Sequence, residues 1–409
     1  MGEYEIAGHF VMGENARLTG PVTAVDGYSE LTAVKIHSDS VHEVLTGEPL
    51  ERLKALATEV VQRAEVRSVT SRSYVEKQLV KWVERTRLGE TSSSWCDEFE
   101  AALARDVRPL QVLVPCDGIQ IARHFRLGNV EFRFFTRADI ITMTEPCDPT
   151  KADDVRFRQR MIDDYLGRVY AAYECTAEEG FAQVQAIAEA EAALDVLRFL
   201  DAAAWDVRVR CFIGRYGQVP AGTLRVFIVR PDDNVPRLTE SSERGAAWRT
   251  MITEECLDSI TVKPMAAATR ILAKDSRTEL EELAIDAVRR YAHGVGSPAV
   301  QDRLLHAFTA VESLLLANES EAIVDRLGLR MAFVNGANIE DRRQLIEDLK
   351  AGYRIRSRFI HHGRIPSNVE QVNRALKACW RTVYLILLAT DTYETKADML
   401  RALDERILA

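Results

Sequence analysis

Residues 297–315 read SPAVQDRLLHAFTAVESLL, and this stretch indicates the fold expected for the last third of the chain. It opens with Ser297 and Pro298, a residue type that caps helices followed by one that fits the first helical turn. Its apolar side chains then recur mostly three or four residues apart, which is helix spacing: Val300, Leu304, Ala307, Phe308, Val311, Leu314 and Leu315. The pattern predicts an amphipathic helix with one buried face.

On both sides of this helix the apolar stripes predict further helices and no strand. A preceding stripe runs from Leu280 to Tyr291 and ends at Gly294. Later helices are predicted at about 320–334, from Ile339 toward residues 361–363, from residues 365–367 onward, and at about 396–408. Five or six helices with short links are typical of a helical bundle. We therefore expect an all-helical domain over 275–409, with a boundary near 270–278.

The first 270 residues mix strands and helices. Strands are predicted at 10–12, 16–18, 22–25 and 31–36, and a helical pattern follows over about 49–87. The pattern continues with strands at 110–114 and 130–135, helices at about 156–174 and 177–204, and a strand pair at 207–213 and 224–229. The predicted fold class is α+β: a mixed α/β amino-terminal region over 1–270, which divides near 150 if it forms two subdomains, followed by the all-α bundle.

The composition is that of an ordinary globular protein. The chain has 409 residues, of which 47% are apolar and 28% charged, and this differs from disordered and fibrous proteins. Its longest strongly apolar run, residues 383–389, is far shorter than the roughly 20 residues that span a bilayer. The amino terminus has no basic region followed by an apolar segment, so no secretory signal is predicted. We expect a cytoplasmic protein without a membrane partner.

Common cofactor and metal motifs are absent from the sequence. It contains no G-x-x-x-x-G-K-[ST], H-E-x-x-H or G-x-S-x-G motif, and Gly294-Val-Gly296 lacks the third glycine of a dinucleotide-binding turn. The seven cysteines form no CxxC pair, which disfavours a zinc knuckle and a redox dithiol. We predict neither a cofactor nor a metal site.

One segment is strongly basic although the chain as a whole is acidic. The formal net charge is −9, so any binding to nucleic acid needs a local positive patch. In residues 341–364 the carboxylates of Asp341, Glu347 and Asp348 oppose a larger set of cations: Arg342, Arg343, Lys350, Arg354, Arg356, Arg358 and Arg364. This segment is either a nucleic-acid-binding patch or an ordinary solvated helix face.

Residues 352–363, GYRIRSRFIHHG, combine the groups that metal-free RNA cleavage needs. A base must remove the proton of the ribose 2′-hydroxyl, an acid must protonate the leaving 5′-oxygen, and a cation must hold the phosphate. Histidine titrates near neutral pH, and the planar guanidinium of arginine matches a phosphate group. The candidate catalytic residues are Arg356 and His361, and the supporting candidates are Tyr353, Arg354, Arg358, His362 and Glu312.

Helix geometry constrains the catalytic pair. At about 100° per residue, positions 356 and 361 lie roughly 140° apart around an ideal helix, whereas positions 354 and 361 share a face. Either the helix ends before Gly363, which Gly363 and Pro366 favour, or a second copy of the chain completes the site. A further interpretation is structural: the arginines complement the helix dipole and the histidines belong to a capping turn.

The same residues resemble a known protein family. Tyr353 to Gly363 is similar to the signature of the Apea-like branch of HEPN domains, in which a tyrosine precedes Arg-Ser-Lys/Arg, two apolar residues and His-Gly-Gly. Arg356-x4-His361 fits the general HEPN motif, and Arg356-x5-His362 fits its looser form. His361 aligns with the family histidine, but His362 stands where the first glycine usually is. The choice between the two histidines is therefore open.

Two upstream segments extend the resemblance to about 280–390. Residues 307–316, AFTAVESLLL, resemble the helix of this branch that carries an apolar stripe, a glutamate and a Leu-Leu pair, and Glu312 takes the glutamate position. Residues 330–334, RMAFV, resemble the later Arg-x-Ala segment. We expect Glu312 to hold the arginines by a salt bridge rather than to act chemically.

The resemblance implies a homodimer through the carboxy-terminal domain, in which two Arg/His motifs form one metal-independent RNA-cleaving site. It implies that His361 takes part in proton transfer or orients the 2′-hydroxyl, and that Arg356 binds the scissile phosphate. RNA is then the expected partner, in antiviral (anti-phage) defence or a toxin-like role. The strands at the amino terminus weakly resemble those that precede Apea-like domains, which implies a sensing region with an unknown activating ligand or phage component.

Two other functions remain open at this point. Some HEPN domains are not nucleases, so the module could bind nucleotide, RNA or a protein partner without cleaving. Ser357 favours this alternative, because the position after the arginine often carries Asp or Asn in active members. In the third interpretation the Arg/His cluster is only a helix end in a structural protein.

Overall fold

The structure, a computed structural model, describes residues 33–37, 42–145, 147–217, 223–229, 236–242, 250–258, 262–318, 321, 323–362 and 368–409. Two compact units are distinguished, one formed by residues 1–112 with 173–188 and the other by 113–172 with 189–409. The second unit includes residues on both sides of 270–278. The domain boundary there, like the break near 150, therefore stays a prediction.

The strands of the described residues form small sheets. They are β1 (Ala33–His37), β2 (His42–Thr46), β3 (Arg108–Asp117), β4 (Ile119–Ile121), β5 (Phe125–Leu127), β6 (Val130–Phe134), β7 (Val169–Ala177), β8 (Gly214–Arg215), β9 (Thr223–Val229), β10 (Pro236–Ser242) and β11 (Thr250–Ile252). The largest sheet has the order β5-β6-β7-β3-β8. The pairs β1–β2 and β9–β10 are antiparallel, and β4–β11 is parallel.

Helices make up most of the rest of the described chain. They are α1 (Glu48–Val61), α2 (Arg72–Arg87), α3 (Trp95–Asp106), α4 (Arg137–Met143), α5 (Ala152–Tyr165), α6 (Glu179–Leu200), α7 (Glu254–Asp258), α8 (Val262–Leu272), α9 (Glu279–Val295), α10 (Val300–Leu315), α11 (Ile323–Asn335), α12 (Ile339–His362), α13 (Val369–Ala389) and α14 (Lys396–Leu408). The predicted α+β class is confirmed.

In the first unit, α1, α2 and α3 pack around a small apolar core. Leu50 and Leu53 of α1, Val75 and Leu79 of α2, and Phe99 of α3 are buried in it. The helical pattern predicted over 49–87 forms two helices instead of one. The second begins after Ser71, which caps it by accepting a hydrogen bond from the backbone N–H of Tyr74. The strand predicted at 31–36 corresponds to β1, whereas those at 10–12, 16–18 and 22–25 lie outside the described residues.

In the second unit, α9 to α14 form the predicted succession of helices. Helix α10 packs against α9 and α13, and α12 packs against α11 and α13. Tyr291, Leu304, Phe308 and Leu314 are fully buried between them. The helix cap predicted at Ser297 is wrong, because Ala299 is the N-cap residue of α10. The hydroxyl of Ser297 accepts a hydrogen bond from the backbone N–H of Ala299.

The helix predicted over 156–174 is wrong beyond Tyr165. The chain turns at Gly167, whose φ of 75° is in the left-handed region, and continues as β7. Residues 169–172 of β7 are all buried, because the strand lies between β6 and β3 in its sheet. A strand covered on both faces is a continuous apolar run, which periodicity does not distinguish from a buried helix.

The strand predicted at 207–213 is also wrong. Its backbone groups are bonded by side chains instead of a neighbouring strand: the N–H of Val207 donates to Asn373 Oδ1 at 3.0 Å, and the carbonyl of Val209 accepts from Arg303 Nη1 at 3.1 Å. The strand predicted at 224–229 is confirmed as β9, but its partner is β10. The partner of a strand depends on contacts that local sequence does not encode.

Candidate functional site

Helix α12 presents one face that is rich in cations. Positions 343, 350, 354, 358 and 361 lie within an arc of about 80° around an ideal helix. Arg343, Arg354 and Arg358 are exposed, and Lys350 is half-buried. Within the part of the chain that the structure describes, none of these four cations lies within 4 Å of a carboxylate. We call the surface formed by Arg343, Lys350, Arg354 and Arg358 the basic face.

The acidic residues near the basic face oppose it only in part. Asp348 is buried and accepts from Arg374 Nε of α13 at 3.0 Å and from Gln344 at 3.1 Å, so its charge is already compensated. Asp341 lies in the first turn of α12, where a negative charge complements the helix dipole. Glu347 is exposed on the same side as the basic face. Glu340, exposed in the first turn of α12, lies in the same arc, so two carboxylates without an ion pair among the described residues oppose four cations there.

Arg356 lies on a different side of α12, where it contacts α10. Its Nη1 donates to Glu312 Oε1 at 2.6 Å, and the hydroxyl of Tyr353 donates to the same oxygen. The side chains of Arg356 and Glu312 are 19% and 20% exposed. This pair confirms the expected salt bridge, and it leaves the guanidinium only partly accessible to a ligand.

The environment of Tyr353 keeps its hydroxyl protonated. Burial, together with the bond to Glu312, raises the pKa of Tyr353 well above its usual value, so this hydroxyl stays a donor at ordinary pH. The Tyr353 ring packs on Phe308, with centroids 4.4 Å apart. The Nε of Arg356 is buried and has no hydrogen-bond partner among the described residues. An unpaired buried donor costs free energy, so the Glu312 bonds must stabilise this arrangement.

Gly352 allows α12 to approach its neighbours closely enough for these bonds. A Cβ atom at this position would lie 2.7 Å from Phe308 Cζ and 2.8 Å from the Cβ of Ala375, both shorter than real contacts. Gly352 therefore brings Tyr353 and Arg356 to Glu312. A glycine directly before the Tyr-x-x-Arg segment is the sequence signal for this close packing.

The predicted catalytic pair does not share one face of α12. The helix runs without a break through His362, and residues 363–367 lie outside the described residues, so the expected helix end before Gly363 stays a prediction. Positions 356 and 361 are then roughly 140° apart around the axis. Position 361 instead lies in the same arc of the helix as the basic face. The side chains of His361 and His362, and the whole of Arg364, lie outside the described residues.

Arg342 differs from the rest of the predicted patch. Its guanidinium carbon lies 3.9 Å from the ring centroid of Phe333, which is a cation–π contact. Its Nε is buried without a hydrogen-bond partner among the described residues. Arg342 therefore packs the α11–α12 junction and contributes little to an open basic surface.

The bundle contains a second charged cluster, whose ion pairs the sequence did not predict. Arg330 of α11 is buried and binds Asp404 of α14 at 3.0 and 2.8 Å, Glu321 at 3.0 Å and the carbonyl of Leu315 at 2.6 Å. The pair Arg330–Asp404 is far apart in sequence, so no local pattern indicates it. These bonds join α11 to α14 and to the end of α10.

Comparisons with protein-family models, with curated proteins and with solved structures find no match. Among the described residues, no group of three or more His, Cys, Asp or Glu side chains is arranged to hold a metal ion. No described helix has the length and apolar character that crossing a membrane requires.

Proposed function

We propose that the carboxy-terminal bundle is a metal-independent endoribonuclease of the HEPN type. The observation that carries the proposal is the basic face of α12, whose four cations have no carboxylate partner among the described residues and which continues to position 361. Such a face suits the phosphate backbone of RNA, and a histidine at its end suits proton transfer at neutral pH. The resemblance of residues 353–363 to the HEPN signature supports the same reaction.

In this mechanism His361 takes the proton of a ribose 2′-hydroxyl, and the 2′-oxygen attacks the adjacent phosphorus. The bond to the 5′-oxygen breaks, the leaving oxygen takes up a proton, and a 2′,3′-cyclic phosphate remains. Arg356 binds the equatorial oxygens, where negative charge builds up. Because Arg356 and position 361 lie on different sides of one unbroken helix, the proposed site combines Arg356 of one subunit with His361 of a second.

A second candidate function is RNA binding without cleavage. The Arg356–Glu312 pair favours it, because Glu312 neutralises the arginine that would bind the scissile phosphate. In this case the basic face binds RNA, and binding weakens with rising salt as counterions are released. Ser357 supports the same alternative.

The deciding experiment is cleavage of RNA by the purified full-length protein in EDTA. We expect His361→Ala and Arg356→Ala each to lower the rate at least about 100-fold, the usual minimum for loss of an acid–base group. His124→Ala, which removes an exposed histidine outside the bundle, is the matched control. His362→Ala separates the two candidate histidines. Cleavage that persists in His361→Ala contradicts the assigned site, and salt-dependent binding without cleavage selects the second function.

The wider role in anti-phage defence or as a toxin rests on the family resemblance. Expression of an active ribonuclease in bacteria arrests growth, so we expect arrest with the wild-type chain and normal growth with His361→Ala at equal protein level. The amino-terminal region is then proposed to control the bundle, because an uncontrolled ribonuclease damages its own cell.

A further inference from the structure

A groove between α2 and α3 combines aromatic walls with an excess of positive charge. It has a volume of about 130 Å³ and is lined by residues at helix spacing on each side, Gln78, Lys81, Trp82 and Arg85 from α2 and Trp95, Glu98, Ala102 and Arg105 from α3. All of these residues belong to the first unit. Each helix thus turns one face to the groove.

The aromatic walls are held in place by their own contacts. The indole N–H of Trp82 donates to the carbonyl of Ser93 at 3.1 Å. Trp95 stacks on Phe99, with ring centroids 4.9 Å apart, and lies edge-on to Trp82 at 6.3 Å. Fixed tryptophan rings offer a flat apolar surface on which another ring stacks without loss of side-chain freedom.

The charges of the groove are unevenly compensated. Arg85 pairs with Glu98 at 2.6 Å, and Arg105 pairs with Asp106 at 2.8 Å. Lys81 has no carboxylate within 4 Å among the described residues. Burial, and then the positive charges of Lys77 and Arg105, lower the pKa of its ammonium group. A bound anion would relieve this repulsion, so Lys81 is the group in the groove best prepared to bind one.

We infer that this groove binds a planar aromatic ring that carries a phosphate, the chemistry of a nucleoside monophosphate. The ring stacks on one of the two indoles, since the planes of Trp82 and Trp95 are 64° apart, and the phosphate binds the ammonium group of Lys81. The volume of about 130 Å³ is below the roughly 300–1,000 Å³ of pockets that enclose drug-sized ligands, so the groove encloses the ring and leaves the rest of the ligand at its rim. The same chemistry occurs in a free mononucleotide and in the 5′ end of a nucleic-acid strand. The inference does not depend on the ribonuclease proposal.

Isothermal titration of the full-length protein with AMP, adenosine and ribose 5-phosphate tests both halves of the ligand. We expect AMP to bind at least about tenfold more tightly than either fragment, a difference of about 1.4 kcal/mol. Equal affinity for AMP and adenosine overturns the phosphate contact, and equal affinity for AMP and ribose 5-phosphate overturns the stacking. Absence of binding by all three compounds and by the oligonucleotide described below overturns the site.

Substitutions assign the phosphate contact to Lys81. Lys81→Gln should weaken AMP binding about tenfold, whereas Lys81→Arg, which keeps the charge, should retain it within about threefold. Lys263→Gln is the matched control, because Lys263 is exposed on α8 and does not line the groove. Equal loss in Lys81→Gln and Lys263→Gln contradicts a specific contact. Thermal unfolding of each variant checks that the fold is retained.

The source of the ligand is distinguished with a short 5′-phosphorylated oligodeoxyadenylate, which lacks the 2′-hydroxyl and resists the proposed cleavage. Binding of AMP but not of this strand supports a free nucleotide. Tighter binding of the strand than of AMP, again weakened by Lys81→Gln, supports a nucleic-acid end. Binding of the strand that Lys81→Gln leaves unchanged contradicts the groove as its site.

Discussion

At the scale of single residues, Glu312 is the side chain on which the candidate site depends most. It accepts hydrogen bonds from Arg356 and from Tyr353, two residues of the predicted motif, and joins α10 to α12. The sequence indicated a glutamate near the arginines but not that one carboxylate oxygen serves both donors. Arg356 is thereby held in one orientation, whether its role is catalytic or structural.

Replacement of Glu312 by Gln tests this contact. We expect a loss of about 1–3 kcal/mol in the free energy of unfolding, because two half-buried donors lose a charged acceptor. Urea unfolding measures the loss, and Glu405→Gln, an exposed glutamate of α14, is the matched control. A change in Glu312→Gln no larger than in the control contradicts the importance of the pair.

Gly352 permits a second test at the same scale. Gly352→Ala should destabilise the bundle by about 1–3 kcal/mol, because its Cβ meets Phe308 and Ala375 in a packed interior. Gly296→Ala is the matched control, because this glycine has a φ of −71° and a Cβ atom there would lie 3.9 Å from the nearest atom, the carbonyl oxygen of His293. Thermal unfolding compares the two variants. Equal stability of both would show that α12 can move away without cost.

At the scale of elements, the Arg330–Asp404 pair fixes α14 to α11. Arg330 binds both carboxylate oxygens of Asp404, and this holds the pKa of that carboxyl below its usual range. A carboxylate whose pKa is lowered in the folded state stabilises the fold at any pH above its unfolded pKa, about 3.9. This contribution is lost as the pH falls through the lower pKa of the folded state. The stabilising effect is thus complete at neutral pH.

Asp404→Asn should therefore lower stability at pH 7 and matter less in acid. We expect the difference in free energy of unfolding between wild type and variant to shrink once the pH falls below about 4. Urea unfolding over a pH series measures it, with the exposed Asp286→Asn of α9 as the control. A difference that stays constant down to pH 2, about two units below the ordinary value, would argue against the ion pair.

The elements differ in how far local sequence predicts them. The helices after residue 278 are predicted well, because each buries one stripe and the helical period repeats over several turns. The segment 169–177 is mistaken in part for helix, because a central strand is apolar on both faces. The segment 207–213 alternates like a strand, yet Asn373 and Arg303 bind its backbone.

At the scale of the whole molecule, the proposed binding of RNA is set against a net charge of −9. Attraction must come from local cations such as those of the basic face, and their phosphate contacts should make association dependent on salt. The proposed nuclease also needs two copies of the chain, because one unbroken helix separates Arg356 from position 361.

Mixing two inactive variants tests the composite site. If Arg356 and His361 come from different subunits, co-refolded Arg356→Ala and His361→Ala chains form mixed dimers with one complete site. Since about half of the dimers are mixed and each has one of two sites, we expect about one quarter of wild-type cleavage. RNA cleavage by each variant alone is the control. No activity in the mixture, with an active wild type, indicates that both residues act within one subunit.

Local spacing in the sequence is enough to predict the helical succession of the carboxy-terminal third, the concentration of cations in α12 and the residues of the Arg/His motif. Packing between distant elements, in contrast, places Arg356 against Glu312 on the inner side of α12, while Arg354 and Arg358 stay exposed. The reason is packing: Gly352 admits α12 close to α10, and which side of a helix is covered depends on neighbours distant in the chain.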